Sequence, residues 1–223
     1  MSDLTLLIPA KNEKESLPHV LNELKKFSYK ITIILHPSDK DTIEVLSGFD
    51  VDILYQKNHG YGDALIEGIN NCKTELFCIF NADGSFNPSE IEPMLLELKE
   101  KNLDLIFASR YQDKSGSEDD TVLTKIGNFF FTFLSKILFK LNISDILYTF
   151  VIGKTKNVRS LNIKKKDFRF CVELPIKAKF HNLKIASIGS YERKRIAGKK
   201  KVNEFKDGFL ILIEILRLFF FNE

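Results

Sequence analysis

The chain has 223 residues, of which 44% are hydrophobic and 28% are charged, and its formal net charge is +3. This composition excludes a disordered chain, which has fewer apolar residues and a higher net charge. The three cysteines are odd in number and lack Cys-x-x-Cys spacing, so they indicate neither a disulfide framework nor a zinc site. The amino terminus shows no signal peptide, and we expect a cytoplasmic protein with reduced thiols.

The first half of the chain alternates between short apolar runs and amphipathic segments. Strands are predicted at 4–8, 31–35, 51–55, 75–80 and 104–108, and helices at 15–27, 41–48, 61–72 and 89–101. Repeated strand–helix units of this length predict an α/β fold, with a mostly parallel central sheet and flanking helices. We expect a single domain over residues 1–223, since α/β domains often reach this size.

The character of the sequence changes after Arg110. Residues 112–120 are polar and rich in turn formers, which predicts a mobile loop. A long helix rich in phenylalanine is predicted over 121–141, and a similar segment covers 209–221. We expect no transmembrane anchor, because a spanning helix needs roughly 20 apolar residues. Each segment either packs against the sheet or lies in a membrane interface, and we favour peripheral membrane contact for at least one.

An acidic turn, Asn81-Ala82-Asp83-Gly84-Ser85, directly follows the predicted strand 75–80. Open α/β sheets bind ligands at the carboxyl ends of their strands. A divalent cation such as Mg²⁺ takes oxygen ligands from one or two carboxylates and from substrate phosphates. Asp83 is therefore a candidate metal ligand. At position 81 a second carboxylate would be the easier choice for binding a cation, because the Asn81 amide offers an oxygen ligand but no negative charge.

Two other turns also follow predicted strands. Asn12 and Glu13 come after Pro9 and can reach a ligand across the strand ends, or one of them simply caps the next helix. Gly60 and Gly62 begin another helix, where glycine permits close approach and free N–H groups face an anion. An ordinary helix entry turn explains the two glycines nearly as well.

The order and spacing of these turns resemble those of family-2 glycosyltransferases of the GT-A type, in particular the polyprenyl-phosphate sugar synthases related to dolichol-phosphate mannose synthase. The resemblance covers nearly the whole chain. The matching residues are Pro9, Asn12, Glu13, Gly60, Gly62, Ala64, Gly68, Ala82, Asp83, Gly84, Pro88, Glu90, Ala108, Ser109, Arg110, Tyr111, Gly127, Asn128, Asp145, Arg195, Gly198, Lys201, Asp207 and Gly208. It implies a GT-A fold, with a nucleotide-sugar-binding half at 1–110 and an acceptor- or membrane-facing half at 111–223.

The resemblance implies transfer of a sugar, with inversion, from a nucleotide-diphosphate donor to an acceptor. Mg²⁺ or Mn²⁺ would be held by Asp83 and Asn81, and no nucleic acid partner is expected. The implied donor-binding residues are Pro9, Asn12, Glu13, Ser38, Gly60, Gly62, Asn81, Ala82, Asp83 and Arg110. The implied catalytic residues are Asp83, Asp145 and Arg195.

A polyprenyl phosphate is the favoured acceptor, and it needs cations and a membrane surface or membrane-protein partner rather than a base. Arg195, Lys199 and Lys201 are the candidate phosphate-binding cations, unless they form a solvated basic loop. A hydroxyl acceptor such as a glycan would require a carboxylate base. Asp145 and Glu173 are the candidates, although Glu173 is as easily a solvent-facing helix residue.

Two departures from the family pattern affect the donor side. Asn81 replaces the first Asp of the family's Asp-Ala-Asp-Gly turn. After the second predicted strand, Ser38 and Thr42 alone match the motif that usually contacts the nucleotide base. Asp39 and Asp41 substitute from shifted positions, or the pocket holds a different base or none. A catalytically weakened sugar-nucleotide-binding or regulatory protein on the same fold is the alternative.

Overall fold

The computed structural model describes residues 3–221. Its strands are β1 (Leu4–Pro9), β2 (Lys30–Leu35), β3 (Asp52–Tyr55), β4 (Leu76–Ile79), β5 (Leu105–Ser109), β6 (Gly116–Ser117), β7 (Val151–Lys154), β8 (Ile185–Gly189) and β9 (Tyr191–Glu192). Seven of them form one sheet in the order β3-β2-β1-β4-β7-β5-β8, and β6 pairs with β9 in a separate ribbon.

The large sheet is mostly parallel, which confirms the predicted fold class. Strands β1, β2, β3 and β4 run parallel, as do β5 and β8. Strand β7 lies between β4 and β5 and runs antiparallel to both. The five predicted strands are present with small shifts at their ends. Because β7 and β8 follow residue 110, the two predicted functional halves share one sheet.

The helices are α1 (Leu17–Leu24), α2 (Lys40–Glu44), α3 (Tyr61–Asn71), α4 (Ile91–Glu100), α5 (Val122–Phe139), α6 (Thr155–Ser160), α7 (Phe170–Phe180) and α8 (Glu204–Phe221). Helix α2 is shorter than predicted, and its first turn is capped by the Asp39 carboxylate, which accepts from Thr42 N. Helix α5 begins at a capping box formed by Thr121 and Thr124 and ends at Lys140, whose φ of 53° is left-handed.

The core occupies both faces of the sheet, because alternate side chains of a strand point to opposite faces. On β1, Leu6 and Ile8 belong to one buried cluster, which includes Phe80 and the residues of α1 and α4. Leu7 belongs to the other cluster, which is covered by α3, α5, α7 and α8. Both faces being covered explains the near-continuous apolar character of the parallel strands.

One helix in the described part of the chain, α5, is long and apolar enough to cross a membrane by length and composition alone. The absence of a transmembrane anchor stays a prediction, because the core helix of a soluble protein also passes this test. Buried Asn128 on α5 donates to the Asp145 carboxylate at 2.7 Å and accepts from Leu147 N at 3.1 Å. One face of α5 thus belongs to the protein interior.

Candidate active site

A cleft of about 1240 Å³ opens at the carboxyl ends of β1, β2 and β4. Most of the residues predicted to bind donor or phosphate line it, namely Pro9, Asn12, Glu13, Ser38, Gly60, Asn81, Ala82, Asp83, Arg110, Arg195 and Lys201. Four predicted site residues lie outside this lining: Gly62, Asp145, Glu173 and Lys199. The cleft therefore unites both ends of the sequence at one edge of the sheet.

The turn after β4 holds the Asp83 carboxylate in a defined orientation. Asp83 Oδ1 accepts hydrogen bonds from Ser85 N at 3.0 Å and from Ser85 Oγ at 2.7 Å. Asp83 Oδ2 lies 3.6 Å from Arg195 Nη1. Gly84 has a φ of 83°, and a Cβ there would lie 2.5 Å from the Ile196 side chain, so glycine is required. Asp83 Oδ1 is thus held by its own turn, while Oδ2 faces the Arg195 guanidinium.

Asn81 contacts the same turn, since its amide nitrogen donates to Ser85 Oγ at 3.4 Å. Within residues 3–221, no three His, Cys, Asp or Glu side chains are grouped so as to hold a metal ion. A hard cation that keeps several waters and shares substrate phosphates needs one or two protein oxygens. Asp83 and Asn81 therefore fit a cation that arrives with a substrate, rather than one held by the protein alone.

The turn after β1 is tied to the end of β2. Asn12, with a φ of 54°, donates its backbone N–H to Asp39 Oδ2 at 2.7 Å. Glu13 N donates to Thr42 Oγ1 at 3.0 Å, and the buried Glu13 carboxylate accepts from a serine hydroxyl. Asp41 pairs with Lys14 at 2.8 Å. Both carboxylates considered as replacements at the base site, Asp39 and Asp41, are thus engaged by the first turn.

Two histidines lie at the outer end of the same edge. The rings of His36 and His59 are 3.9 Å apart between centroids, and both residues line the cleft. His36 Nδ1 lies 2.6 Å from Ser38 Oγ. This contact is consistent with a structural role for His36, since a single histidine at a strand end is more often hydrogen-bonded than catalytic. His59 was not singled out, because its partner is a residue on a different strand end.

Gly60 and Gly62 allow the loop before α7 to pack closely against the start of α3. A Cβ on Gly60 would lie 2.1 Å from Lys166 O, and one on Gly62 would lie 2.2 Å from Lys165 O. The Asp63 N–H, at the start of α3, donates to Lys166 O at 3.0 Å. Gly60 also lines the cleft, and the donor-binding role of the two glycines stays a prediction.

Arg110 forms the centre of a largely buried ionic cluster in the wall of the cleft. Its guanidinium makes a bidentate contact with Asp145, at 2.7 and 3.1 Å, and contacts Glu192 at 3.1 Å. Asp120 lies 3.6 Å away. Burial raises the pKa of Glu192 above its ordinary value, although Arg110 opposes that shift. One cation is shared by three carboxylates in this cluster.

This cluster corrects the predicted role of Asp145. The Asp145 side chain is fully buried and its oxygens accept from Arg110 and Asn128. It neither lines the cleft nor has room to accept a proton from an acceptor hydroxyl. Asp145 is a positioning residue that orients Arg110.

Glu173 is neither a base in the cleft nor a solvent-facing residue. It is fully buried on α7, where its carboxylate accepts from the backbone N–H groups of Lys164 and Lys165. It also pairs with Lys177 at 2.9 Å. These contacts anchor the loop before α7, so Glu173 stabilises the fold.

Residues 193–201, which we name the basic strap, fold back across the cleft. Arg195 makes a bidentate contact with Asp119, at 3.1 and 2.6 Å, in addition to its approach to Asp83. Lys201 contacts Glu13, and Lys200 lies 3.8 Å from Asp119. Three cations thus reach the strand ends, whereas Lys199 is exposed and lies outside the cleft lining.

Among the acidic residues of the cleft that the sequence interpretation missed are Asp119, Asp120 and Glu192. The first two lie in the segment predicted to be a mobile loop, and Glu192 directly precedes the basic strap. The available signal was the Asp-Asp pair directly before the helix N-cap Thr121. That pattern is also typical of a solvated helix start, so it did not indicate a site by itself.

The fold and the sequence both match those of known proteins. The model of the family described as "Glycosyl transferase family 2" matches residues 5–161. A solved structure of glucosyl-3-phosphoglycerate synthase from Mycobacterium tuberculosis, in complex with Mn²⁺, UDP and glucosyl-3-phosphoglycerate, superposes with a TM-score of 0.74. The two chains are 12% identical, and the match covers 97% of this chain and 79% of that one.

Two curated relatives extend the sequence match. An uncharacterized glycosyltransferase of Mycobacterium tuberculosis is 23% identical over 210 residues, covering 94% of each chain. A UDP-N-acetylglucosamine–dolichyl-phosphate N-acetylglucosaminyltransferase of Methanococcus voltae is 24% identical over 208 residues, covering 82% of each chain. Together with the strand-end cleft, these matches show that the chain belongs to glycosyl transferase family 2 and is a glycosyltransferase with the GT-A fold.

Proposed function

We propose that this glycosyltransferase moves a sugar, with inversion, from a nucleoside diphosphate donor to a polyprenyl phosphate. The observation that carries the proposal is the meeting of Asp83 with Arg195 and Lys201 in one cleft. A carboxylate suited to a cation that shares phosphate oxygens thus stands beside side chains suited to phosphates. Both reactants of the proposed reaction carry phosphate.

The donor would lie along the ends of β1, β2 and β4. Asp83 and Asn81 would hold Mg²⁺ or Mn²⁺ together with the donor diphosphate. When bound, such a cation supplies Lewis-acid neutralisation of the negative charge on the departing diphosphate. The M. tuberculosis synthase was crystallised in complex with Mn²⁺ and UDP, which supports a divalent cation and a uridine nucleotide as first choices.

The cations of the basic strap would exchange partners when phosphates enter. Arg195 now binds Asp119 and approaches Asp83, and Lys201 now binds Glu13. A phosphate offers the guanidinium of Arg195 the same bidentate geometry as a carboxylate. The strap would therefore hold the phosphates in place of these acidic side chains.

An acceptor that is already an anion suits the inner end of the cleft. Asp120 and Glu192 line it, but both are engaged by Arg110, and Asp120 also accepts from Tyr111 and Thr124. A hydroxyl acceptor would need a carboxylate ready to take a proton. A polyprenyl phosphate needs none, and the name of the M. voltae relative includes a dolichyl-phosphate acceptor.

A second candidate is transfer to a soluble acceptor. The M. tuberculosis synthase has been crystallised with phosphoglyceric acid, so a GT-A cleft of this shape serves an acceptor without a lipid there. A third, which Asn81 and the altered second-strand motif favour, is a weakened enzyme that mainly binds nucleotide sugar. Under the leading proposal, the protein is cytoplasmic and binds peripherally to the cytoplasmic face of the membrane.

The test is a screen of nucleotide sugars with purified full-length protein. Each donor is offered with a short-chain polyprenyl phosphate or with soluble glycan and phosphoglycerate acceptors, with and without Mg²⁺ or Mn²⁺. We expect metal-dependent transfer to the polyprenyl phosphate, lost in Asp83→Asn. Turnover restricted to soluble acceptors would replace the lipid proposal. Nucleotide-sugar binding without turnover would support the weakened protein.

A further inference from the structure

Helices α5 and α8 lie side by side and run in the same direction. Thr121, the N-cap of α5, donates to Glu204 at the start of α8 at 3.2 Å. At the other end, the rings of Phe139 and Phe219 meet edge to face with centroids 6.0 Å apart. Each helix has 18 residues, which corresponds to a length of about 27 Å. The pair therefore presents one continuous outer surface.

That surface is apolar. We define the α5–α8 face as the surface formed by the large exposed apolar side chains of the two helices. They include Ile126, Phe129 and Phe133 on α5 and Phe205, Phe209 and Ile213 on α8. Phe129 is 73% exposed, Phe205 is 80% exposed and Phe209 is 64% exposed. Scattered exposed apolar residues are normal, but a contiguous patch along two helices marks an interaction surface.

The charges along α5 have one sign. Residues 122–140 include Lys125, Lys136 and Lys140 but no Asp or Glu. These three lysines are exposed, and within residues 3–221 no carboxylate lies within ion-pair distance of them. The partner of the surface must therefore combine an apolar layer with negative charge.

Each carboxylate of α8 has a partner within the protein. Glu214 is buried and pairs with Lys165 at 2.9 Å and with Arg217 at 2.7 Å. Asp207 accepts from Asn203 N at 2.7 Å, and Glu204 accepts from Thr121. The carboxylates of α8 are thus either buried or confined to its first turn, whereas the three lysines lie along α5.

We propose that the α5–α8 face is the docking surface for a bilayer containing anionic phospholipids. The phenylalanine and isoleucine side chains would enter the boundary between headgroups and acyl chains, and the lysines would contact lipid phosphates. Self-association fits less well, because a two-fold contact places the same patch on both subunits and brings like charges together. The observed charge pattern matches a negative surface instead.

The α5–α8 face adjoins the cleft, so docking would bring the cleft close to the bilayer. Thr124 and Asn128 at the start of α5, and Lys206 and Asp207 at the start of α8, line the cleft. Phe205 therefore lies directly beside the cleft mouth. A lipid phosphate leaving the bilayer would meet Lys206 first and then the basic strap. This last step rests on the proposed function, whereas membrane docking itself does not.

The docking is tested by flotation of the full-length protein with vesicles of phosphatidylcholine, with or without phosphatidylglycerol. We expect binding to the anionic vesicles and little binding to the neutral ones. The variant Phe129→Ser/Phe209→Ser should bind at least about tenfold more weakly, from the loss of buried aromatic area. Lys125→Glu/Lys136→Glu should weaken binding by roughly fivefold or more for each lysine.

Matched controls change the same residue types elsewhere. Leu96→Ser removes an exposed apolar side chain from α4, and Lys99→Glu reverses an exposed lysine there. Both should bind vesicles as the unaltered protein does, and circular dichroism should show that all variants fold. Equal binding to neutral and anionic vesicles, absence of binding, or dimerisation that Phe129→Ser/Phe209→Ser abolishes would each overturn the proposal.

Transfer to a water-soluble, short-chain polyprenyl phosphate separates this proposal from the proposed function. The α5–α8 variants should retain that activity, since none of the changed residues lines the cleft. Vesicle binding without any transfer would overturn the proposed function and leave the docking surface standing. Transfer without vesicle binding would do the reverse.

Discussion

Arg110 and Arg195 are both arginines bound by carboxylates at the edge of one cleft, yet their surroundings differ. The Arg110 side chain is 10% exposed and is shared among Asp145, Glu192 and Asp120. The Arg195 side chain is 19% exposed and reaches across from the basic strap to Asp119 and Asp83. Arg110 is joined to the sheet and to α5 through Asp145, whereas Arg195 lies on a connection between β9 and α8.

The difference shows that an ion pair's role depends on what can replace its partner. Around Arg110 the neighbouring groups are held by several contacts at once, since Asp145 also accepts from Asn128 and the guanidinium lies over the Tyr148 ring. Around Arg195 the cleft is open, and a phosphate can replace Asp119. We therefore regard Arg110 as part of the framework and Arg195 as part of the binding surface, although the family resemblance placed both in the site.

The largest expected effect is on stability, in Arg110→Met. Removing one partner of a buried ion pair leaves unpaired buried charge and costs about 3–5 kcal/mol. Here three carboxylates would lose their common cation. Urea denaturation should show this loss of unfolding free energy. Arg169→Met is the matched control, because the Arg169–Asp167 pair is more exposed and should cost no more than about 1 kcal/mol. Equal losses would contradict the assignment of Arg110 to the framework.

The next effect is on activity, in Arg195→Gln. Loss of one preorganised donor to a phosphate should lower kcat/KM by roughly 100-fold, with little change in the urea midpoint. Lys194→Gln is the control, since Lys194 is exposed on the same strap and lies outside the cleft lining. Steady-state kinetics with a polyprenyl phosphate would measure both. An Arg195→Gln protein that unfolds early but retains its activity when folded would reverse the comparison.

The strand-end turns show how much of the fold and of the site can be predicted from the sequence. Pro9 to Glu13 and Asn81 to Ser85 are short segments that directly follow predicted strands, and within the second the Ser85-to-Asp83 hydrogen bonds join near neighbours in the chain. Apolar runs bounded by turn formers gave five strands of a parallel sheet. Because parallel strands must end at one edge, the shared position of these turns followed from the pattern alone.

The rest depended on contacts between distant residues. Strand β7 was missed because its run, Val151–Lys154, is four residues long and its place between β4 and β5 is decided by pairing, not by local pattern. The role of Asp145 depended on Arg110, 35 positions earlier. The close approach of the Lys166 carbonyl to Gly60 likewise joins residues that are far apart in the sequence. No local pattern reveals which groups will fill the space beside a residue.

A smaller effect is expected for cation binding, in Asn81→Asp. A second carboxylate beside Asp83 adds charge that Asn81 cannot supply, and it also gives Arg195 another partner. We expect Mn²⁺ to bind roughly tenfold more tightly in the presence of UDP, a gain of about 1.4 kcal/mol. Electron paramagnetic resonance of Mn²⁺ measures this directly, without turnover. Asn87→Asp, outside the cleft lining, is the control. Unchanged Mn²⁺ affinity would remove Asn81 from the proposed cation site and leave Arg195 as the main charge facing Asp83.

The smallest effect concerns pH and the Arg110 cluster. Burial raises the pKa of Glu192 in the folded protein above its ordinary value, so the folded state binds this proton more tightly than the unfolded state. The stabilisation from that proton is full below the unfolded pKa and is lost as pH rises through the folded pKa. Glu192→Gln should therefore flatten the fall in unfolding free energy just above the ordinary glutamate pKa, as measured by urea titrations at several pH values. Glu118→Gln, which changes an exposed glutamate on the same ribbon, should leave the slope unchanged. If the unfolding free energy of Glu192→Gln fell more steeply with pH than that of the unaltered protein, Arg110 would favour the ionised Glu192 strongly enough to outweigh burial. The ion pairs of Arg110 would then resemble the more exposed pairs of Arg195.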